Sequence, residues 1–287
     1  MNQKPSPFNH QALIELIAHN LEIFRQKSQT PITSSIDNST EDWKDSIDDD
    51  ILNQEFKEDF EHIKWRNPYQ SWKRILVIAD LHLPFEHKDY LEFCKQLRDT
   101  YQPDGVIFIG DIIDHHYTSF HGADPDGMSA GDELELCIKR VKEWHTAFPN
   151  ALVMIGNHDA RVFRLAKDSK ISKAWIRDYK EVLNTPTWQF MEEAIIDDVL
   201  YTHGSSGDAY KVATNRMIST VQGHYHTKMG IQYINNGTWG MQVGCGIDRN
   251  SYAMGYAKGH SKEQLLGAGM VENGVPTVIP FYTKRSK

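Results

Sequence analysis

The chain has 287 residues, 40% of them hydrophobic and 24% charged, with a net charge of −8; these are ordinary proportions for a soluble globular protein long enough to bury a sizeable core. No apolar run approaches the roughly 18 residues of a bilayer span, and the polar start lacks the apolar centre of a secretory leader, so the sequence reads as neither membrane-spanning nor secreted. Cys94, Cys137 and Cys245 are odd in number and scattered, which excludes a disulfide framework and points to free thiols in the cytoplasm.

Taken in order, Asn9 can cap a first helix and Phe8 can staple against Leu13, with Leu13, Ile17, Leu21 and Phe24 on one face. Residues 28–50 are polar and poor in apolar side chains, the composition of a linker. A second amphipathic helix is expected over residues 51–66, using Leu52, Phe56, Phe60 and Ile63. Residues 1–72 carry 7 Lys and Arg against 13 Asp and Glu. They read as an acidic helical extension that docks on the rest or mediates self-association. The remaining 215 residues hold 24 basic against 26 acidic residues, so the global charge says little about what they bind.

The main domain is expected over residues 73–287. Ile75–Ala79 is a buried strand ending in Asp80-Leu-His82, followed by a helix from about His87 to Tyr101. Val106–Ile109 is a second strand, broken by Gly110 and followed at once by Asp111. A long loop with His115, His116 and His121 comes next. Ser129 and Asp132 form a capping box for a helix with Leu134, Cys137, Val141, Trp144 and Phe148 inward. Ala151–Ile155 is a third strand, running into Gly156-Asn157-His158-Asp159. Strand and helix alternate, and each strand closes on polar residues, the signature of a parallel core with its chemistry at the carboxyl ends.

Beyond Asp159 the sequence predicts a basic helical region, then short strands at 188–190, 194–196, 199–202, 218–222 and 229–235, two of them ending in histidine at His203 and at His224-Tyr-His226. The Gly-rich end supplies edge hairpins. Parallel strands first and shorter strands after give an α/β fold, a two-sheet sandwich flanked by helices. Cys245, between two glycines, reads as a buried small hydrophobe rather than a nucleophile. In the basic region Arg161, Arg164, Lys167, Lys170, Lys173, Arg177 and Lys180 recur every three or four residues. One helix would carry them as a stripe suited to a polyanion's backbone, though Ser169 can divide it into two helices.

Asp80-x-His82, Gly110-Asp111-x-x-Asp114, Gly156-Asn157-His158-Asp159, His203-Gly and Gly223-His224-x-His226 together resemble the calcineurin-like metallophosphoesterase family, all five blocks in the family's order over residues 74–230. The resemblance implies a hydrolase of phosphate esters working with two divalent ions. Such a pair, about 3.5–4 Å apart, clamps a phosphoryl group and acidifies bound water. Mixed nitrogen and oxygen donors suit Mn²⁺, Fe or Zn²⁺ better than Mg²⁺.

Carried onto matching positions, the resemblance gives one ion Asp80, His82, Asp111 and His226, and the other Asp111, Asn157, His203 and His224. His158 would face the phosphate, with Asp159 orienting it. Asp114 either holds a ligand in place or caps the following segment. His115, His116 and Arg161 are candidates for contacting the substrate. Protein phosphatases of the family carry Gly-Asp-x-x-Asp-Arg and Gly-Asn-His-Glu, whereas here the closing residues are His115 and Asp159. The pattern therefore leans to phosphodiesterases, with nucleases acting on DNA or RNA, phosphomonoesterases, and a non-enzymatic scaffold on the same fold as the alternatives.

Overall fold

The computed structural model describes residues 64–65, 72–118, 127–235, 237–251 and 263–282. The helices expected before residue 64 and the loop histidine His121 lie outside these residues. Two six-stranded sheets face one another. The first holds β2 (Arg74–Ile78), β3 (Gly105–Phe108), β4 (Leu152–Met154) and β5 (Gln189–Met191), all parallel. Its other edge is an antiparallel hairpin, β11 (Gly267–Glu272) and β12 (Val275–Pro280), with β11 against β2. The expected βα alternation and terminal hairpin are both present.

The second sheet runs in the order β1 (Lys64–Trp65), β6 (Glu193–Ile196), β7 (Val199–Thr202), β8 (Ser219–Gln222), β10 (Trp239–Val243) and β9 (Met229–Tyr233). Lys64–Trp65 pairs in parallel with β6. The chain is thus extended where the sequence predicts the end of a helix, and the sheet gathers residues from before the expected boundary at 73.

Period-two alternation explains the layers. Ile75, Val77, Ile107, Leu152 and Met154 point from the first sheet to the second, where Ala194, Tyr201, Val221, Met241 and Val243 meet them. The intervening residues Leu76, Ile78, Phe108 and Val153 point the other way, onto helices α1 (Tyr90–Tyr101) and α2 (Ala130–Ala147). A parallel sheet covered on both faces needs nearly continuous apolar strands, which these are. Tyr90, Cys94 and Leu97 of α1 and Cys137, Val141 and Trp144 of α2 are buried against it. Truncating Trp144 to alanine would cost about 3–5 kcal/mol.

Ser129 caps α2 as the sequence predicts, its hydroxyl accepting from the Asp132 amide at 3.2 Å. One turn in, the buried residue is Glu133 rather than Leu134. Its carboxylate accepts from the amides of His116 (2.9 Å) and Tyr117 (3.3 Å), and so fixes the loop that follows Asp114.

The basic region is not one helix. Helix α3 (Arg161–Asp168) ends at Ser169, Lys170 takes a left-handed φ of 58°, a 3-10 turn spans Lys173–Trp175, and α4 (Tyr179–Leu183) follows. Arg161 and Arg164 are buried. The expected continuous cationic stripe is therefore absent, since its first two charges turn inward. Helix α5 (Ala209–Arg216), capped by Asp208, covers the outer side of the second sheet. Three free cysteines are buried, Cys245 among them.

Candidate metal centre

Every block singled out in the sequence arrives at one edge of the sandwich, because β2, β3, β4, β7 and β8 all end there. Asp80 follows β2, Asp111 follows β3, Asn157 follows β4, His203 follows β7 and His224 follows β8. Among the described residues, three groups of carboxylates and imidazoles offer atoms within 4.8 Å of one another: Asp80, His82 and His226; Asp80, Asp111 and His203; and His82, Asp114 and His158.

The glycines preceding these residues have a steric role. A Cβ on Gly156 would collide with the Asp111 carboxylate and amide, and one on Gly223 with the Asp80 carboxylate. The backbone itself packs on these two carboxylates, and only glycine lets it. His82, Asp111, His115 and His224 have left-handed φ values of 51°, 47°, 50° and 69°. Strain of about 1–3 kcal/mol each is typical of residues aimed by a surrounding site.

His82 Nε2 lies 3.1 Å from His226 Nε2, and His226 Nε2 lies 3.3 Å from Asp80 Oδ2. On the other side, Asn157 Oδ1 is 3.0 Å from both His203 Nε2 and His224 Nδ1. Asp111 Oδ2 stands between the two sets, 3.6 Å from His82 Nε2 and 3.1 Å from His203 Nε2. Two convergent imidazole nitrogens cannot both donate, and Asp80 Oδ1 is buried without a hydrogen-bond partner among the described residues. Cations between these atoms would satisfy all of them, so the donor set fits divalent metals bound by nitrogen and oxygen.

Outer partners fix which ring nitrogen faces inward. His203 Nδ1–H donates to the Ile109 carbonyl at 3.1 Å, and His82 Nδ1 lies 2.7 Å from Asp114 Oδ1. Both leave Nε2 for a metal. Burial disfavours charge on His203, but the Asp111 and Asp80 carboxylates outweigh it and raise its pKa to about 9. Burial, reinforced by His203, instead holds His224 down at about 3. Burial also opposes ionisation of Asp111, yet His203 and His158 keep its carboxyl well below the usual range.

His158 sits beside this cluster, its ring edge-on to His82 with centroids 4.4 Å apart. Its Nδ1–H donates to the Asp114 carbonyl at 2.7 Å, with Asp114 Oδ1 3.3 Å away. Asp159, expected to orient His158, does not reach the ring. Its carboxylate accepts from the amides of Ile113 (3.1 Å) and Gly156 (2.9 Å), tying the β3 and β4 loops together. Burial and the charge of Asp111 push its pKa up to about 7. The orienting group is Asp114, which the sequence left between two roles.

Among the substrate candidates, Arg161 donates NH1 to the carbonyls of Asp114 (2.8 Å) and His115 (3.2 Å) and NH2 to His158 Nε2 (3.1 Å). A guanidinium thus reaches the nitrogen that would face a phosphate. Burial, with Arg161 and His158 nearby, lowers His115 to about 4 and keeps it neutral. His116 turns towards Asp114 Oδ2 (3.7 Å) and Phe85. Supports with no sequence signal also appear: the Tyr179 hydroxyl donates to the Asp159 carbonyl at 2.9 Å, and the Gln242 side-chain amide donates to the Gly223 carbonyl.

A two-sheet α/β sandwich with this nest of carboxylates and imidazoles at its strand ends is the build of a metal-binding phosphoesterase. The chain belongs to the calcineurin-like phosphoesterase family, whose model matches residues 73–237. No curated protein matches the sequence significantly. Among solved structures, vacuolar protein sorting 29 from Cryptosporidium parvum is 15% identical, covering 75% of this chain and all of its own, with a TM-score of 0.38. The Escherichia coli phosphoesterase YfcE is 14% identical over 72% of this chain and 92% of its own, at 0.37. Pseudomonas putida nuclease MPE is 13% identical over 72% and 87%, at 0.33. These TM-scores are too low for the likenesses to bear on function.

Proposed function

We propose that the protein hydrolyses phosphate diesters with two divalent ions, Mn²⁺ foremost and Fe or Zn²⁺ as alternatives. Asp80, His82, Asp111 and His226 would hold one ion, and Asp111, Asn157, His203 and His224 the other. The observation that carries this reading is Asp111 Oδ2, poised between His82 Nε2 and His203 Nε2. When bound, the ions would polarise the phosphoryl oxygens and acidify water.

The chain's own residues supply the rest. His158 is anchored through Nδ1–H to the Asp114 carbonyl, with Nε2 accepting from Arg161. To act as the acid it would carry a proton on Nε2 in place of that contact and pass it to the departing ester oxygen. The Asp114 carboxylate, 3.3 Å from Nδ1, holds the ring in place. Arg161 adds positive charge beside the developing phosphate charge. A diester carries less negative charge than a monoester. That suits a site whose Arg161 already has NH1 engaged by two carbonyls. The intact donor set argues against a non-enzymatic scaffold. The buried thiols agree with a reducing, cytoplasmic setting.

The test is hydrolysis of bis-p-nitrophenyl phosphate and p-nitrophenyl phosphate by the Mn²⁺-loaded protein, with bound metal measured alongside. Faster turnover of the diester is expected. Preference for the monoester would replace the diester reading, and two bound metals without turnover would favour the scaffold.

A further inference from the structure

A cavity of about 510 Å³ adjoins the metal centre, large enough for a small organic ligand. Asn157 lines it, together with Phe163, Tyr179, Phe190, Glu193 and Arg216. Tyr179 and Phe190 stack with centroids 5.1 Å apart at 20°, and Phe163 tilts against Tyr179 at 5.2 Å. Glu193 is only 7% exposed. Arg216 NH1 holds its Oε2 at 2.6 Å, while Oε1 is buried and lacks a hydrogen-bond partner among the described residues. A buried carboxylate oxygen left without a donor is costly, and native structures rarely keep one without a reason.

Building on the phosphodiester reading, we propose that this cavity receives the organic group next to the scissile phosphate, and that this group is an amino-bearing nucleobase whose exocyclic N–H donates to Glu193 Oε1. The cavity touches the metal centre through Asn157, so a phosphate held there places its substituent inside. Aromatic walls favour a flat ring, which stacks on such side chains at little cost in order. The unpartnered polar atom is an acceptor, so the ligand must bring a donor, and the Glu193 side chain turns to meet it. A glutamate accepting from a base's amino group is an established pairing. The Glu193 carboxylate also disfavours a second phosphate in the cavity, which directs the neutral base there.

The test compares bases with and without the amino group on the full Mn²⁺-loaded protein. Calorimetry gives Kd for adenosine and purine-riboside 5′-monophosphates, and for cytidine 5′-monophosphate and its 4-deamino analogue. The 2′,3′-cyclic phosphates of the same nucleosides give kcat/KM. Deleting the amino group should weaken at least one pair about tenfold in both measures, as expected when a site's acceptor is left unpaired. In Glu193→Gln, Arg216 keeps the amide oxygen and the NH₂ turns to the cavity, so the amino/deamino ratio should fall to one or below. Glu193→Asp, which retracts the acceptor but keeps the charge, should shrink the ratio as well. Because each ratio is taken on one protein, partial loss of folded or loaded material cancels. Ratios within twofold for both pairs in the wild type, or discrimination that survives both variants, would overturn the proposal. If bis-p-nitrophenyl phosphate is not cleaved, the hydrolase reading fails and the Kd ratios still decide what the cavity binds.

Discussion

Asp114 Oδ1 lies 2.7 Å from His82 Nδ1, and the same residue's carbonyl lies 2.7 Å from His158 Nδ1. One residue therefore sets the orientation of both the His82 and the His158 imidazoles. Burial opposes its ionisation, but hydrogen bonds from His158 and His82 hold its carboxyl well below the usual range. Asp114→Ala should leave the carbonyl in place yet free the His82 ring. Metal affinity should fall by about 10–100-fold, the usual cost of losing such a support. Metal titration of the variant checks this, and wild-type affinity would remove Asp114 from the role.

Asp111→Asn and His158→Asn should fail differently. Asp111 Oδ2 faces both ligand sets, so its amide variant should bind neither ion tightly. His158→Asn should keep its metal while turnover drops by about 10²–10⁴-fold, as for general acid–base groups. Elemental analysis beside steady-state kinetics separates the two, and loss of metal from the His158 variant would move that residue into the ligand set.

Metal binding should release a proton at about pH 8, because a ligating imidazole must be neutral. His203, raised to about 9, is mostly protonated there in the metal-free protein, whereas His224 at about 3 and Asp159 at about 7 have already lost their protons. The same shift stabilises the metal-free fold fully below the unfolded histidine value near 6.5, an advantage lost as pH rises through 9. Calorimetric enthalpies in buffers of different ionisation heat should show the release at about pH 8 and its disappearance at about pH 10. An unchanged count at both pH values would place the proton elsewhere.

Gly156→Ala should destroy the centre, since its Cβ would occupy the space of the Asp111 carboxylate. Gly131→Ala is the contrast. That position lies in the first turn of α2, where an added Cβ meets nothing closer than Ser129 Oγ at 3.9 Å. It should raise stability by up to about 0.5–1 kcal/mol. Denaturant melts and metal content of the two variants test the difference, and a metal-replete Gly156→Ala would show that the β4 loop yields.

What can be read along the chain is local: apolar strands that stop at Gly-Asp, Gly-Asn-His and Gly-His, the Ser129 cap, and the alternation of strand and helix. Strand period, glycine and capping are properties of a few adjacent residues, so Asp80, Asp111, Asn157, His203 and His224 stand out in the sequence itself. Tertiary structure alone decided which groups touch. Asp114 rather than Asp159 orients His158, although Asp159 is its chain neighbour, because the β3 loop is folded over that ring. Arg161 and Arg164 turn inward, which helical spacing cannot distinguish from an exposed charged face. Helix α5 buries only Ala209 and Ala213, residues too small to leave a periodic hydrophobic trace, and it sits close because Gly240 beneath it has no side chain. The pairing of Lys64–Trp65 with β6 joins segments about 130 residues apart. Such pairings depend on how separate segments pack, and no window along the chain contains both partners.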